Sequence, residues 1–144
     1  MVTKIILSTD DEFFAQSKCG SIWGTIYFQI NDEFFPGKGW TDLAAGFLRI
    51  WLESLVQIES GSLDKDEVPF LDGPFKIGIS IHNSHSANLT FIHKNAVQFS
   101  VTEEVRFLIE DAISATKQLL DACEKRHWQN TDTDVLSARL KPYR

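Results

Sequence analysis

Phe75-Lys76-Ile77-Gly78-Ile79-Ser80-Ile81-His82-Asn83-Ser84-His85-Ser86-Ala87-Asn88-Leu89-Thr90-Phe91-Ile92-His93-Lys94-Asn95-Ala96-Val97-Gln98-Phe99-Ser100-Val101 is the stretch that decides the fold. Phe75, Ile77, Ile79 and Ile81 alternate with Lys76, Gly78, Ser80 and His82, which is the period of a strand with one buried face. The turn Asn83–Ser86 leads into Leu89–His93, and Lys94-Asn95 turns the chain again into Val97–Val101. Connections this short cannot cross over a sheet, so the three strands form an antiparallel meander.

Upstream, residues 2–7 form a short β-prone run, and Ser21–Ile30 alternates again. Ile22, Gly24, Ile26, Phe28 and Ile30 share one face; Trp23, Thr25, Tyr27 and Gln29 share the other. Asn31–Gly39 is a loop punctuated by Pro36-Gly37 and Gly39. Thr41 is placed to cap a helix over Asp42–Ser60, with Gly61 at its end. Its apolar residues, among them Phe47, Trp51, Leu52 and Leu55, fill more than one stripe, so this helix is expected to be covered on much of its circumference. Residues 61–74 read as a polar loop ending in the turn Phe70-Leu71-Asp72-Gly73-Pro74. A second helix is expected from Thr102 to about His127, its face lined by Val105, Ile109, Ala112, Thr116, Leu119 and Cys123. One further short helical segment falls near Asp134–Leu140.

The expected order is β-β-α-β-β-β-α. It describes an α+β domain with an antiparallel sheet of about five strands and two long helices packed on one face. With 144 residues and no linker or repeat, residues 1–144 form a single globular domain. No apolar run approaches the ~20 residues that span a bilayer, and the N-terminus lacks the apolar core of a signal peptide. The chain reads as soluble and cytoplasmic, and its two cysteines, Cys19 and Cys123, have no framework spacing.

Charge is unevenly placed. Residues 1–75 hold 12 acidic and 5 basic side chains, whereas residues 76–144 hold 8 and 9. That balance argues against nucleic acid as a partner, since phosphate is met by Lys and Arg, and it suits a basic protein partner. No GxGxxG or GxxxxGK[ST] occurs, and no βαβ series that would seat a nucleotide. His82, His85 and His93 are the sole cluster with metal-ligand chemistry. They lack a partner at diagnostic spacing and read as turn residues and an outward strand histidine. Neither cysteine lies in a motif that activates a nucleophile, and the carboxylate runs Asp10-Asp11-Glu12 and Asp64/Asp66/Glu67 read as solvated charge. No cofactor, metal or catalytic set is expected.

Phe35-Pro36-Gly37-Lys38-Gly39-Trp40-Thr41-Asp42, Trp51-Leu52-Glu53-Ser54-Leu55 and Phe70-Leu71-Asp72-Gly73-Pro74 together resemble a pattern in small bacterial proteins, the immunity proteins of polymorphic and contact-dependent toxin systems. The resemblance covers residues 34–76 and implies a cytoplasmic protein that binds and blocks a toxin without catalysis. Read from the residues, a contact patch would draw on Phe34, Phe35 and Trp40, ringed by Asp32, Glu33, Asp64, Asp66 and Glu67. Two other readings stand beside it: a small enzyme or ligand-binding domain with a pocket between helices and sheet, and a homodimer packed through Trp51.

Overall fold

The computed structural model describes residues 3–143. Ile22–Ile30 (β3) is the hub of the first sheet because it is long and apolar on its inner face, and four segments pair with it, all antiparallel. They are Thr3–Ser8 (β1), Ala15–Gln16 (β2), Glu33–Phe35 (β4) and Thr41–Asp42 (β5). Phe28, Gln29 and Ile30 face β1 on one side and β4 on the other, and Thr25 likewise divides between β1 and β5. The start expected for β1 at Val2 lies outside the described residues.

The second sheet is the meander read from the sequence, with one strand added. Lys65–Pro69 (β6), Phe75–Ile81 (β7), Ser86–His93 (β8) and Ala96–Glu104 (β9) pair in the order β6-β7-β8-β9. A one-residue shift between Phe91 and Ile92 leaves Gln98 as an extra residue on β9, a β-bulge. The α+β class is what the molecule has, but the strands divide between two sheets instead of one. Both sides of β3 are taken by β1, β2, β4 and β5, so the meander forms a sheet of its own; β6 joins it unforeseen because charged Lys65-Asp66-Glu67 conceals a strand whose buried residue is Val68.

Among the described residues three α-helices join the sheets: Ala44–Ser60 (α1), Val105–Lys125 (α2) and Thr131–Leu140 (α3), the last continuing into a 3-10 turn, Lys141–Tyr143. Two expected boundaries move. Thr41 and Asp42 extend the ladder to Gly24 and Thr25, so α1 starts later, after Leu43. Thr102, Glu103 and Glu104 finish β9 opposite Ser86–Asn88, so α2 starts at Val105. Gly61 ends α1 in the left-handed conformation, φ +82°, as its position foretold. His127 performs the same turn after α2 at φ +57°, with Cys123 O accepting from Arg126 N and Trp128 N. α3 begins three residues earlier than expected because Asn130 and Thr133 form a reciprocal capping box. It docks on α1 through Arg49–Asp132 (3.0 Å) and Arg139–Glu53.

The core is a continuous set of aromatic rings that joins the sheets to α1. Phe47 stacks on Phe70 at 4.2 Å, Phe28 meets Trp51 at 5.1 Å, and Phe35 meets Phe91 at 5.1 Å. Phe91 in turn stacks on Phe99 at 4.8 Å. Trp51 is wholly buried here, which removes it as a homodimer surface: the helix carrying it is covered by β3, β6, α2 and α3.

The outer edge of β1 is closed by side chains instead of another strand. Glu103 accepts from Thr3 N (2.6 Å), Asp111 accepts from Ile5 N (2.9 Å), and Gln118 donates to Leu7 O (3.1 Å). Asp111 and Gln118 stand two turns apart on α2, so one helix face serves Ile5 and Leu7 while the end of β9 serves Thr3. Burial pushes the Asp111 carboxyl up to about 6, against the favourable Ile5 amide and Lys4 charge.

Two outcomes follow for stability. Phe47→Ala is expected to cost about 3–5 kcal/mol in denaturant unfolding, and a loss under about 1 kcal/mol would place Phe47 outside the packed core. For Asp111 the folded pKa, about 6, lies above the ordinary 3.8, so the folded state keeps a proton that the unfolded state releases between those values. Its contribution is therefore full below the lower value and lost as pH rises through the higher one. Asp111→Asn keeps an oxygen for the Ile5 amide and carries no charge. It should stabilise the protein near neutral pH by roughly 1–2 kcal/mol, the partly exposed carboxyl being screened by water. That advantage should fade toward pH 4, and a gain independent of pH would refute the assignment.

Candidate functional site

The most distinctive residues of the sequence, Trp40-Thr41-Asp42 and Phe70-Leu71-Asp72-Gly73-Pro74, meet at one carboxylate. Asp42 is fully buried, and it accepts four hydrogen bonds: from Trp40 Nε1 (2.9 Å), Leu43 N (2.7 Å), Leu71 N (3.2 Å) and Asp72 N (3.3 Å). It thereby ties the start of α1, in the first sheet's loop, to the β6–β7 connection of the second sheet. Gly73 has φ +76°, and a Cβ there would stand 3.0 Å from Trp40 Cη2 and 3.1 Å from a Phe75 ring carbon, so the turn is closed tightly over the indole. Trp40 is thus half-buried, its ring 5.0 Å from that of Phe75, and serves the joint between the sheets.

That joint holds the β3–β4 hairpin beside the second sheet. Between them opens a cleft of about 530 Å³, lined on one side by Asn31, Glu33 and Phe34 and on the other by His93 and Gln98–Val101. Phe35 and Phe75 contribute to its floor. Asp32 and Glu33 are exposed at the hairpin tip, and Phe34 is half-buried, 6.0 Å from Tyr27, with Lys38 Nζ 5.5 Å above its ring. Phe35 is corrected: at 2% exposure it lies among Phe70, Phe75, Phe91 and Phe99 and belongs to the core, because alternation on β4 sends it opposite to Phe34.

Asp64, Asp66 and Glu67 do not join this group. They lie at or just before β6, the opposite edge of the second sheet from β9, about 14 Å away at three strand spacings. Asp66 Oδ1 accepts from Glu67 N (2.9 Å), and Glu67 pairs with Lys76 Nζ (3.2 Å), so two of the three carboxylates are engaged locally. The anticipated acidic ring is therefore two separate surfaces. The sequence does not separate them, since β6 does not read as a strand and the edge it occupies stays hidden with it.

His82 and His85 lie at the β7–β8 turn and His93 at the far end of β8, roughly 20 Å along the strand. The three do not converge. His93 instead stacks on Phe75, ring to ring at 4.4 Å, at the cleft wall. Hydrogen bonds with the Ser17 and Ser21 hydroxyls lower the exposed Cys19 thiol to about 7, whereas burial pushes Cys123 up to about 11. No helix among the described residues is long and apolar enough to cross a membrane. Comparison with known proteins gives no matching family model, curated protein or solved structure.

Asp42→Ala should cost about 3–5 kcal/mol, since four buried or half-buried donors lose a charged acceptor at once. Asp42→Asn should fall between, as its amide keeps one acceptor oxygen and adds donors where donors already point. Equal stability of the three proteins in urea titration would show that the carboxylate does not hold the joint.

Proposed function

We propose that the protein is a stoichiometric protein-binding module, and that it acts as an immunity protein neutralising a cognate bacterial toxin in the cytoplasm of its host. The observation that carries the binding reading is the hairpin tip. Asp32 and Glu33 are exposed, and neither has an ion-pair partner among the described residues, beside the half-buried ring of Phe34 and an open cleft. Uncompensated carboxylates beside an aromatic surface suit a basic protein partner, for which charge speeds encounter and the ring supplies contact area. The resemblance of residues 34–76 to immunity proteins supports the narrower role, and a toxin is the partner it implies.

A second reading, binding of a small ligand, draws on the cleft itself. Its volume of about 530 Å³ lies in the range of small-molecule sites, and Glu33, His93 and Gln98 bring polar groups to an aromatic floor. The two readings separate by what is recovered on purification and by what raises the melting temperature.

The test is affinity purification from the native bacterium, followed by association kinetics with the recovered partner at two salt concentrations. A one-to-one complex is expected, with association that slows as salt rises. Asp32→Lys with Glu33→Lys should lower the association rate by roughly tenfold at low salt. Reversal of Asp64, Asp66 and Glu67 should have a smaller effect, because part of that charge is already neutralised by Lys76. Salt-independent association, unchanged by the hairpin reversal, would remove the charge argument. A small molecule raising the melting temperature, with no protein recovered, would favour the second reading.

A further inference from the structure

We propose that the outer edge of β9 is the docking line for an extended segment of the partner protein, which adds to the second sheet as a further strand and brings a basic side chain to Asp32 and Glu33. This rests on the protein-binding reading above and specifies how the partner is held. Among the described residues, three long strands have an edge with no neighbouring strand, and they are treated differently. β1 is sealed by Glu103, Asp111 and Gln118. β6 is guarded by its chemistry: Pro69 has no N–H to offer, the Glu67 N–H is taken by Asp66 Oδ1, and the strand's first three residues, Lys65-Asp66-Glu67, are charged.

β9 has neither protection on its central residues. The bond from Val105 N to His85 O (2.9 Å) sets the phase of the β8–β9 ladder, so Glu103, Val101 and Phe99 exchange their backbone bonds with β8. Ser100 and Thr102 then turn their N–H and C=O groups outward, and neither backbone has a partner among the described residues. Both side chains are exposed, and the Thr102 hydroxyl is already used on Asn88 (2.6 Å). The same strand, from Gln98 to Val101, forms one wall of the cleft whose other wall is the β3–β4 hairpin.

An incoming strand at this edge would satisfy the open backbone groups and lay every second side chain toward Phe34 and Phe99. The charge beside that path is Asp32 and Glu33 at the hairpin and Glu104 at the strand end, with Lys38 held over Phe34 and Lys94 in the turn before β9. A segment with apolar residues at alternate positions and a Lys or Arg between them fits both features. Pairing through backbone groups makes the contact tolerant of sequence, whereas the ring floor and the two carboxylates select the pattern.

The experiment can begin before the partner is identified. Random peptides displayed on phage are selected against the folded protein, and the best is synthesised. The expected winners alternate apolar residues and carry Lys or Arg. The synthetic peptide should slow amide exchange at Ser100 and Thr102, while Lys65 on β6 is unchanged. Ser100→Pro removes an outward N–H without touching the β8 ladder, and it should weaken the peptide by about tenfold or more, with a melting temperature within a few degrees of the parent. Asp32→Lys with Glu33→Lys should weaken it similarly. If Ser100→Pro fails to fold, exchange in the parent protein decides. No enriched peptide, a binder that leaves both amides exchanging freely, or equal affinity for Ser100→Pro overturns the proposal. So does a dimer that Ser100→Pro dissociates, because a second copy would then hold the edge. A native partner that binds Ser100→Pro as well as the parent overturns this edge and leaves the protein-binding reading standing; recovery of no partner strikes at that reading instead.

Discussion

The carboxylate of Asp42 holds together parts of the chain that share no ladder. Two sheets of unequal character must sit side by side, and hydrophobic contact between aromatic rings sets how closely but not in which register. Four N–H donors converging on one buried anion supply the missing direction, because hydrogen bonds fail steeply with angle whereas ring packing does not. Trp40 answers one oxygen, and Leu71 and Asp72 bring the β6–β7 connection to the same group. The energetic logic is one-sided: an anion buried without a cation is tolerable only when it is fully solvated by donors. Displacing the β6–β7 connection would strip two of the four donors from a buried carboxylate, so the joint resists partial opening.

From that joint the cleft inherits its shape. The β3–β4 hairpin is short and would be a poor wall by itself, but β3 also pairs with β5, whose last residue is Asp42. The opposite wall, β9, is anchored at its end by Glu103, which crosses to Thr3 of the first sheet. Both walls are therefore tied to the same framework at two points. A surface of this kind presents fixed charge and backbone groups to a visitor, and rigidity lowers the ordering cost of association.

Much of the architecture is legible from local pattern. The period-two alternation of residues 75–101 locates three strands, and Gly61 marks the end of α1 to the residue. Misreadings fall where a side chain has two competing employments. Thr41-Asp42 has the composition of a helix cap, yet Asp42 finds donors from a distant loop and leaves the cap position to Leu43. Thr102-Glu103-Glu104 has the same look, yet Glu103 is spent on Thr3, one hundred residues away. No window of local sequence contains that competition. The site is half legible for the same reason: Asp32, Glu33 and Phe34 are neighbours in the chain and stay together, whereas their separation from Asp64, Asp66 and Glu67 depends on strand order. The contribution of Ser100 and the cleft side of His93 depend on which strand lies at an edge.

The bonds sealing β1 carry a consequence for synthesis. Thr3, Ile5 and Leu7 wait for Glu103, Asp111 and Gln118, and Thr9, just past the strand, waits for Arg126, across separations of 100, 106, 111 and 117 residues. On a ribosome β1 is therefore sealed only after 100 or more further residues have been made, because its closing groups lie on β9, on α2 and just beyond α2. Throughout that interval a hydrophobic strand with an open margin stands exposed to neighbouring nascent chains, the circumstance in which long-range topologies are most prone to wrong association. Chaperone dependence in this protein should accordingly be a property of the growing chain, at its height just before α2 leaves the exit tunnel.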